Sequence, residues 1–378
     1  MVLHGRGGDL GGPVRSTRPV PQEGVAVPRL PGAPLVPISL RVNRLAALLN
    51  AELADDPLYD GVELQWFDDE ANGTGMLAFL SRREDRTVDY YMQPGLRVDR
   101  RGYEIGGGTR SWNVTEFEAA RLVVAEDGVD AEVRFTDVDG RLIELRVDDR
   151  DGVPRRRARL LAPVSAGILR PTSLLLVCMN AFDLVRITAT RPYVRIDGRA
   201  AALGRLPGAR LHRRHLIKYA AAVLIVELNP DSAGQPAVDG AAGATIDTGG
   251  AITAAREDHS AEVQFAPSVD LRTMADGTRT DGRWHVTVDG TRITGGRWSA
   301  VRAHDEVHVE LDGLERWQPG PLPWLMRLVT TVVPVFRRWP TTYTWRGTVR
   351  LEGAPSVTGH WHRTGGHDGE SYRRATGS

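Results

Sequence analysis

Cysteine is almost absent from this chain: Cys178 is the only one among 378 residues. No disulfide can form within the chain, and a cysteine-rich metal site is excluded. Cys178 sits in the apolar run Leu174–Met179, the setting of a small buried thiol and not of a reactive one. Lysine is equally scarce. Lys218 stands alone, and every other basic side chain besides histidine is arginine. A lone lysine is either a chance survivor or a place where a planar guanidinium will not serve. An excess of either charge is missing too, since 48 basic and 48 acidic residues cancel, which disfavours a large nucleic-acid surface.

Long apolar runs are missing as well. The stretch 159–180 is broken by Arg170 and Pro171, and 323–339 by Arg327 and Pro334, so the roughly 18 uninterrupted apolar residues of a membrane-spanning helix do not occur. Residues 1–34 lack the apolar core of a secretory signal and are rich in Gly and Pro. They read as a disordered leader, and 366–378 as a disordered tail. A cytoplasmic protein is the expectation. No phosphate loop, Gly-x-Ser-x-Gly elbow, zinc-finger spacing or dinucleotide fingerprint is present, so no cofactor and no metal are expected.

What the sequence does contain is β patterning. Asp127-Gly128, Asp139-Gly140 and Asp151-Gly152 recur as hairpin signals. Between them Ala131, Val133 and Phe135 alternate with Glu132 and Arg134, and Ile143, Leu145 and Val147 with Glu144 and Arg146, the period of a half-buried strand. Further strands are expected at 75–80, 88–92, 110–117, 121–125, 173–179, 184–188, 193–196 and 215–228. Ser39 can cap a helix across 35–57, where Leu40, Leu45, Leu48, Leu49 and Leu53 recur at helical spacing. Residues 231–256 hold few large apolar side chains and read as a linker or long loop. The chain is therefore expected to be mainly β: two tandem antiparallel barrels or sandwiches, a first β domain over 58–230 and a second over 257–365.

One segment interrupts this rhythm. Over 321–339 Trp324, Leu325, Leu328, Val329, Val332, Val333 and Phe336 form a broad apolar surface that ends in Arg337, Arg338 and Trp339. It reads as a hydrophobic helix kinked at Pro334. Such a helix is either an ordinary buried one or a lid or interfacial helix in transient membrane contact.

The densest polar cluster is LHRRHLIKYA, residues 211–220. On a strand, His212, Arg214 and Lys218 share one face while Arg213, His215 and Tyr219 share the other. Either face places a proton donor beside a cation, and the apolar run after Lys218 suits desolvation of a catalytic group. The same residues also fit solvated charges flanking a strand that enters the core. Tyr90, Tyr91 and Trp112 are placed to line the first β unit, and Trp284 and Trp345 the second, as ligand-facing aromatics or as core. His360 and His362 project to one strand face, but no third ligand joins them at metal spacing.

Two passages carry a family resemblance. GVELQWFDDEANGTGMLAFL, with Trp66 and Asp68, and TWRGTVRLEGAPSVTGHWHRTG, with Trp345, Gly347, Gly353 and Gly359, resemble the opening strands and the closing hairpin of lipocalin-like, calycin-type proteins related to carotenoid 1,2-hydratases and cofactor-free cyclases. Gln65 stands where that family has a second Trp, and no counterpart of its active-site strand is present. The resemblance covers about 40 residues. It implies tandem lipocalin-like barrels that bind a hydrophobic small molecule, isoprenoid or polyketide-like, and a cofactor-free, proton-driven hydration, cyclisation or isomerisation. In that scheme His212 or His215 is the acid–base group, Lys218 and Tyr219 orient or polarise, and Trp66, Asp68, Tyr90, Tyr91, Trp112, Trp284 and Trp345 contact the ligand. A non-catalytic carrier of a lipid-like molecule fits the same pattern.

Overall fold

Strands dominate the computed structural model, which describes residues 34–100, 108–164, 169–206, 208–229, 232–236, 244–247 and 249–364. The expected leader (all but its last residue) and tail lie outside the described residues. In chain order the first half supplies β1 (Leu40–Glu52), β2 (Tyr59–Asp69), β3 (Gly73–Arg82), β4 (Val88–Met92), β5 (Thr109–Val114), β6 (Ala119–Ala125), β7 (Gly128–Thr136), β8 (Leu142–Asp148), β9 (Ala158–Ala162), β10 (Leu174–Arg186), β11 (Tyr193–Ile196) and β12 (Arg199–Ala200). A short helix, α1 (Ala209–His212), then leads into the long strand β13 (Arg214–Leu228). The second half supplies β14 (Ser232–Pro236), β15 (Ala244–Ile246), β16 (Ile252–Arg256), β17 (His259–Ala266), β18 (Arg279–Val288), β19 (Thr291–Ala303) and β20 (Glu306–Asp312). It continues through α2 (Trp324–Val332) and α3 (Pro334–Arg338) to β21 (Tyr343–Arg350) and β22 (Ser356–Arg363).

These strands form three sheets. An eight-stranded sheet runs β5-β4-β3-β2-β1-β13-β10-β9, a five-stranded one β12-β11-β8-β7-β6, and a nine-stranded one β14-β22-β21-β20-β19-β18-β17-β16-β15. Pairing is antiparallel except between β4 and β5. The mainly β class is therefore as the patterning indicates, including the Asp-Gly hairpin between β7 and β8 and the hydrophobic helix, which breaks at Pro334 into α2 and α3.

The eight-stranded sheet is buried on both faces. Leu49, Ala51, Leu64, Met76, Ala78, Tyr91, Ile217 and Tyr219 pack against Val133, Phe135, Ile143, Leu145 and Val147 of the five-stranded sheet. Leu45, Leu48, Leu77, Tyr90, Val223 and Leu224 share a second core with Trp284, Trp298, Trp345 and Trp361 of the nine-stranded sheet. Position β1 explains why the expected helix over 35–57 is instead a strand. In it Leu45 and Leu48 serve one core while Leu49 and Ala51 serve the other, so apolar residues fall at both strand parities and mimic a helical stripe. Burying each leucine stabilises by about 2 kcal/mol. The helix propensity forgone is at most about 0.7 kcal/mol per residue, so tertiary burial decides. Ser39 caps no helix; its N–H donates to Asn229 Oδ1 at 2.7 Å.

The expected linker over 231–256 is also corrected. Within it β14 pairs with β22, β15 with β16, and β16 with β17. Its small residues suit sheet edges, where little side-chain volume is needed. The closing hairpin shows a second use of small residues. Gly347 and Gly359 face each other across β21 and β22, and a Cβ on either would run into the indole of Trp345. That close approach accounts for the Trp-x-Gly spacing.

Candidate functional site

Cross-strand register brings residues from seven strands into one lateral row on the face of the eight-stranded sheet that also carries Leu48 and Leu77. Leu184 pairs with Lys218, Lys218 with Asn50, Asn50 with Glu63, Glu63 with Phe79, Phe79 with Tyr90, and Tyr90 with Trp112. Directly opposed residues place their Cβ atoms about 5 Å apart on one face. The row therefore passes from a cation through an amide and a carboxyl to three aromatics. Phe79 and Tyr90 are buried with ring centroids 5.4 Å apart, and Tyr90 stacks on Trp112 at 4.5 Å. The polar end, Lys218, Asn50 and Glu63, is only partly buried, so solvent reaches it.

Glu63 is the chemical centre of the row. Asn50 Nδ2 donates to its Oε2 at 3.1 Å and Gln65 Nε2 to its Oε1 at 2.9 Å. Burial beside the aromatic lane pushes its carboxyl up from 4.5 to about 6, against the lowering effects of those two amides and of the Lys218 charge. Lys218 Nζ donates to Glu52 Oε1 at 2.7 Å and keeps its cation on the same face. Gln65 is 5% exposed, and its Oε1 has no hydrogen-bond partner among the described residues. A carboxyl titrating near neutrality, a cation and an unmatched acceptor thus sit together beside an apolar wall, the elements general acid–base chemistry needs. Replacing Lys218 by Met is expected to move the Glu63 titration midpoint upward from about 6, because a nearby cation favours the carboxylate. Carboxyl-region NMR across pH reads this directly, and a midpoint that stays or falls would show that Lys218 exerts no field there.

Of the residues expected to act, the structure brings Lys218, Tyr90 and Trp112 into this row and sends the others elsewhere. Tyr219 lies on the opposite face of β13, fully buried against the five-stranded sheet. Burial pushes its phenol up, and Arg157 lies over its ring at 5.9 Å. His215 shares that parity, and burial holds its imidazole below the ordinary value. His212 ends α1, and its Nδ1 accepts from the Arg214 N–H at 3.1 Å. Arg213 between them has a positive φ of 51°, which breaks strand alternation, so the run does not converge as one catalytic face.

Trp66 packs against the core shared with the five-stranded sheet, and Tyr91 lies tilted against Phe135 there, ring centroids 4.7 Å apart. Asp68 is exposed and pairs with Arg44 at 2.5 Å. Trp284 and Trp345 are fully buried. Trp284 donates to the Arg297 carbonyl at 3.3 Å, and Trp345 fills the space above Gly347 and Gly359; both act as core. Glu63 and Gln65 are the residues that sequence patterning passes over. In VELQW their alternation with Val62 and Leu64 marks a polar face, and only the register with β1, and through it with β13, sets Glu63 beside Asn50 and Lys218.

A second feature lies where α2 meets the start of β13. Arg156, Phe182, Asp183, His212, Arg214, Trp324 and Met326 line a small open cleft there. Asp183 faces Arg214 at 3.7 Å, and burial raises its carboxyl against that cation and the Leu184 N–H. The cleft joins the histidine-arginine run to the hydrophobic helix, two segments that are distant in sequence.

No protein-family model, curated protein or solved structure matches this chain.

Proposed function

We propose that this chain binds a largely apolar small molecule at the Glu63 end of the aromatic row and moves a proton on it without a cofactor. The observation that carries the reading is a carboxyl lifted to about 6, held by two amides, on the face that also carries the chain's one lysine. Near neutral pH such a group exists in both protonation states in useful amounts, so it serves as acid in one half-reaction and base in the other. In an isomerisation Glu63 removes a proton from a carbon next to a C=C or C=O bond and returns it at a second carbon. In a hydration it protonates the alkene, and water supplies the oxygen and restores the proton. Neither sequence needs an oxidant or reductant. Lys218 stabilises negative charge that develops on a substrate oxygen. Gln65 Oε1 accepts from a substrate hydroxyl or N–H. The resemblance of the opening strand and the closing hairpin to the lipocalin-like hydratases supports the same class of chemistry, with Glu63 taking the acid–base role first expected of His212 or His215.

The test starts from native mass spectrometry of the full chain purified from its own host. A co-purified hydrophobic compound is expected, and incubating the complex in D2O is expected to place deuterium on its carbon skeleton. Glu63→Gln should retain the compound and lose the exchange. Recovery of the compound without exchange by either protein would make the chain a carrier, and absence of any bound compound would remove the reading altogether.

A further inference from the structure

We infer that α2 and the adjoining α1 segment form a docking face for an anionic lipid surface, an inference independent of the Glu63 row. Helix α2 turns two different faces outward and inward. Met326 and Thr330 are buried, whereas Trp324, Leu328 and Val332 are 65%, 53% and 61% exposed. Their spacing of four residues stacks them as one apolar stripe, with exposed Arg327 beside it. Leu211 of α1, next to the cleft residue His212, is 87% exposed. Single exposed apolar residues need no explanation, but a contiguous stripe headed by a tryptophan marks an interaction surface.

Charge selects the occupant. The chain as a whole is neutral, yet no Asp or Glu occurs between Asp197 and Glu227 or between Glu315 and Glu352, the two segments that meet at this cleft. Arg156 lines the cleft beside Trp324. Arg210 and Arg213 flank His212, and Arg338 follows in α3. None of Arg156, Arg210, Arg213, Arg327 and Arg338 forms an ion pair among the described residues. The acid at the site, Asp183, is already matched by Arg214. An apolar stripe with an interfacial tryptophan, on segments that carry unpaired arginines and no acid, fits a bilayer that presents acyl chains below and anionic headgroups around them. No helix among the described residues is long and apolar enough to cross a membrane, so the contact is with one leaflet.

The experiment is cosedimentation of the full chain with large vesicles of phosphatidylcholine alone and of a two-to-one mixture of phosphatidylcholine and phosphatidylglycerol. Strong binding to the anionic vesicles at low salt, weak binding to the neutral ones and loss at high salt are expected. Leu328→Ser should lower partitioning about ten-fold, the effect of withholding one leucine from an apolar phase. Arg327→Glu should lower it at least about five-fold. Both positions are exposed, so far-UV circular dichroism and the urea midpoint should match the parent chain. Absence of binding to anionic vesicles overturns the inference, as does binding that both substitutions leave unchanged. A self-associated chain that Leu328→Ser converts to monomers, with no vesicle binding, would assign the stripe to a second copy and overturn it equally.

Discussion

Replacing Trp361 by Ala is expected to cost about 4 kcal/mol of folding stability, the range for deleting a fully buried indole. Trp361 has no exposed surface, and it lies opposite Trp345 in the β21–β22 hairpin. Its Nε1–H donates to the carbonyls of Leu228 at 2.9 Å and Asn229 at 3.0 Å, where β13 leaves the eight-stranded sheet. One side chain therefore fills the shared core and satisfies two backbone acceptors across the join between the halves. Truncation removes the apolar contacts, opens a cavity and leaves both acceptors with one donor fewer. Urea unfolding should show a lower midpoint with an unchanged slope. Trp324→Ala, a change of the same size on the exposed stripe, should stay within about 0.5 kcal/mol of the parent chain. A Trp361→Ala loss below about 1 kcal/mol would mean that the two halves do not depend on this contact.

Glu63→Gln should act in opposite directions on chemistry and on stability. In the proposed proton transfer, removing a positioned acid–base group lowers turnover about 10²- to 10⁴-fold. The stability change follows from linkage. Glu63 titrates near 6 in the folded chain against 4.5 for an unperturbed glutamate, so between those values the folded state holds more protons than the unfolded one. Stability therefore falls as pH rises from about 4.5 through about 6, and the full cost, about 2 kcal/mol, is present at pH 7. Below about pH 4 both states are protonated and the cost vanishes. Gln carries no charge to desolvate. Turning the Gln65 amide over would present its unmatched Oε1 to the new donor. The variant should gain up to about 2 kcal/mol at pH 7 and almost nothing at pH 4. Paired urea titrations at the two pH values decide the matter. A variant that is less stable at pH 7 than at pH 4, relative to the parent, would make Glu63 a structural anchor and not a strained functional carboxyl.

Much of the architecture is legible in the sequence. The Asp-Gly pairs placed the β7–β8 hairpin, and strands at 88–92, 193–196 and 215–228 fall on β4, β11 and β13 to within a residue. The break at Pro334 separates α2 from α3. The missed strand β1 has a clear cause. Periodicity assumes that each element has one dry face and one wet face. In β1 both faces are dry, so its leucines imitate a helix. In β10 a single strand replaces the two expected over 173–179 and 184–188, because Asn180 and Asp183 are accommodated within it. Asn180 donates to the Ala222 carbonyl at 2.9 Å, and Asp183 accepts from the Leu184 N–H.

For the site, scarcity and its place in the polar run 211–220 pointed to Lys218. No local signal pointed to Glu63, which in sequence is one polar residue of an alternating strand. Glu63 becomes distinctive through Asn50 on one neighbouring strand, Phe79 on the other and Lys218 two strands away.

By itself the sequence determined the strand-rich class, the turn positions and the scarcity of cysteine and lysine, because these depend on composition and on patterns within a few residues. Tertiary structure alone decided which polar residues are brought together and which carboxyl is partly desolvated. It also decided which apolar helix face is left uncovered, since each depends on how segments far apart in sequence pack, as where β1 pairs with β13 and sets Leu40 opposite Leu228.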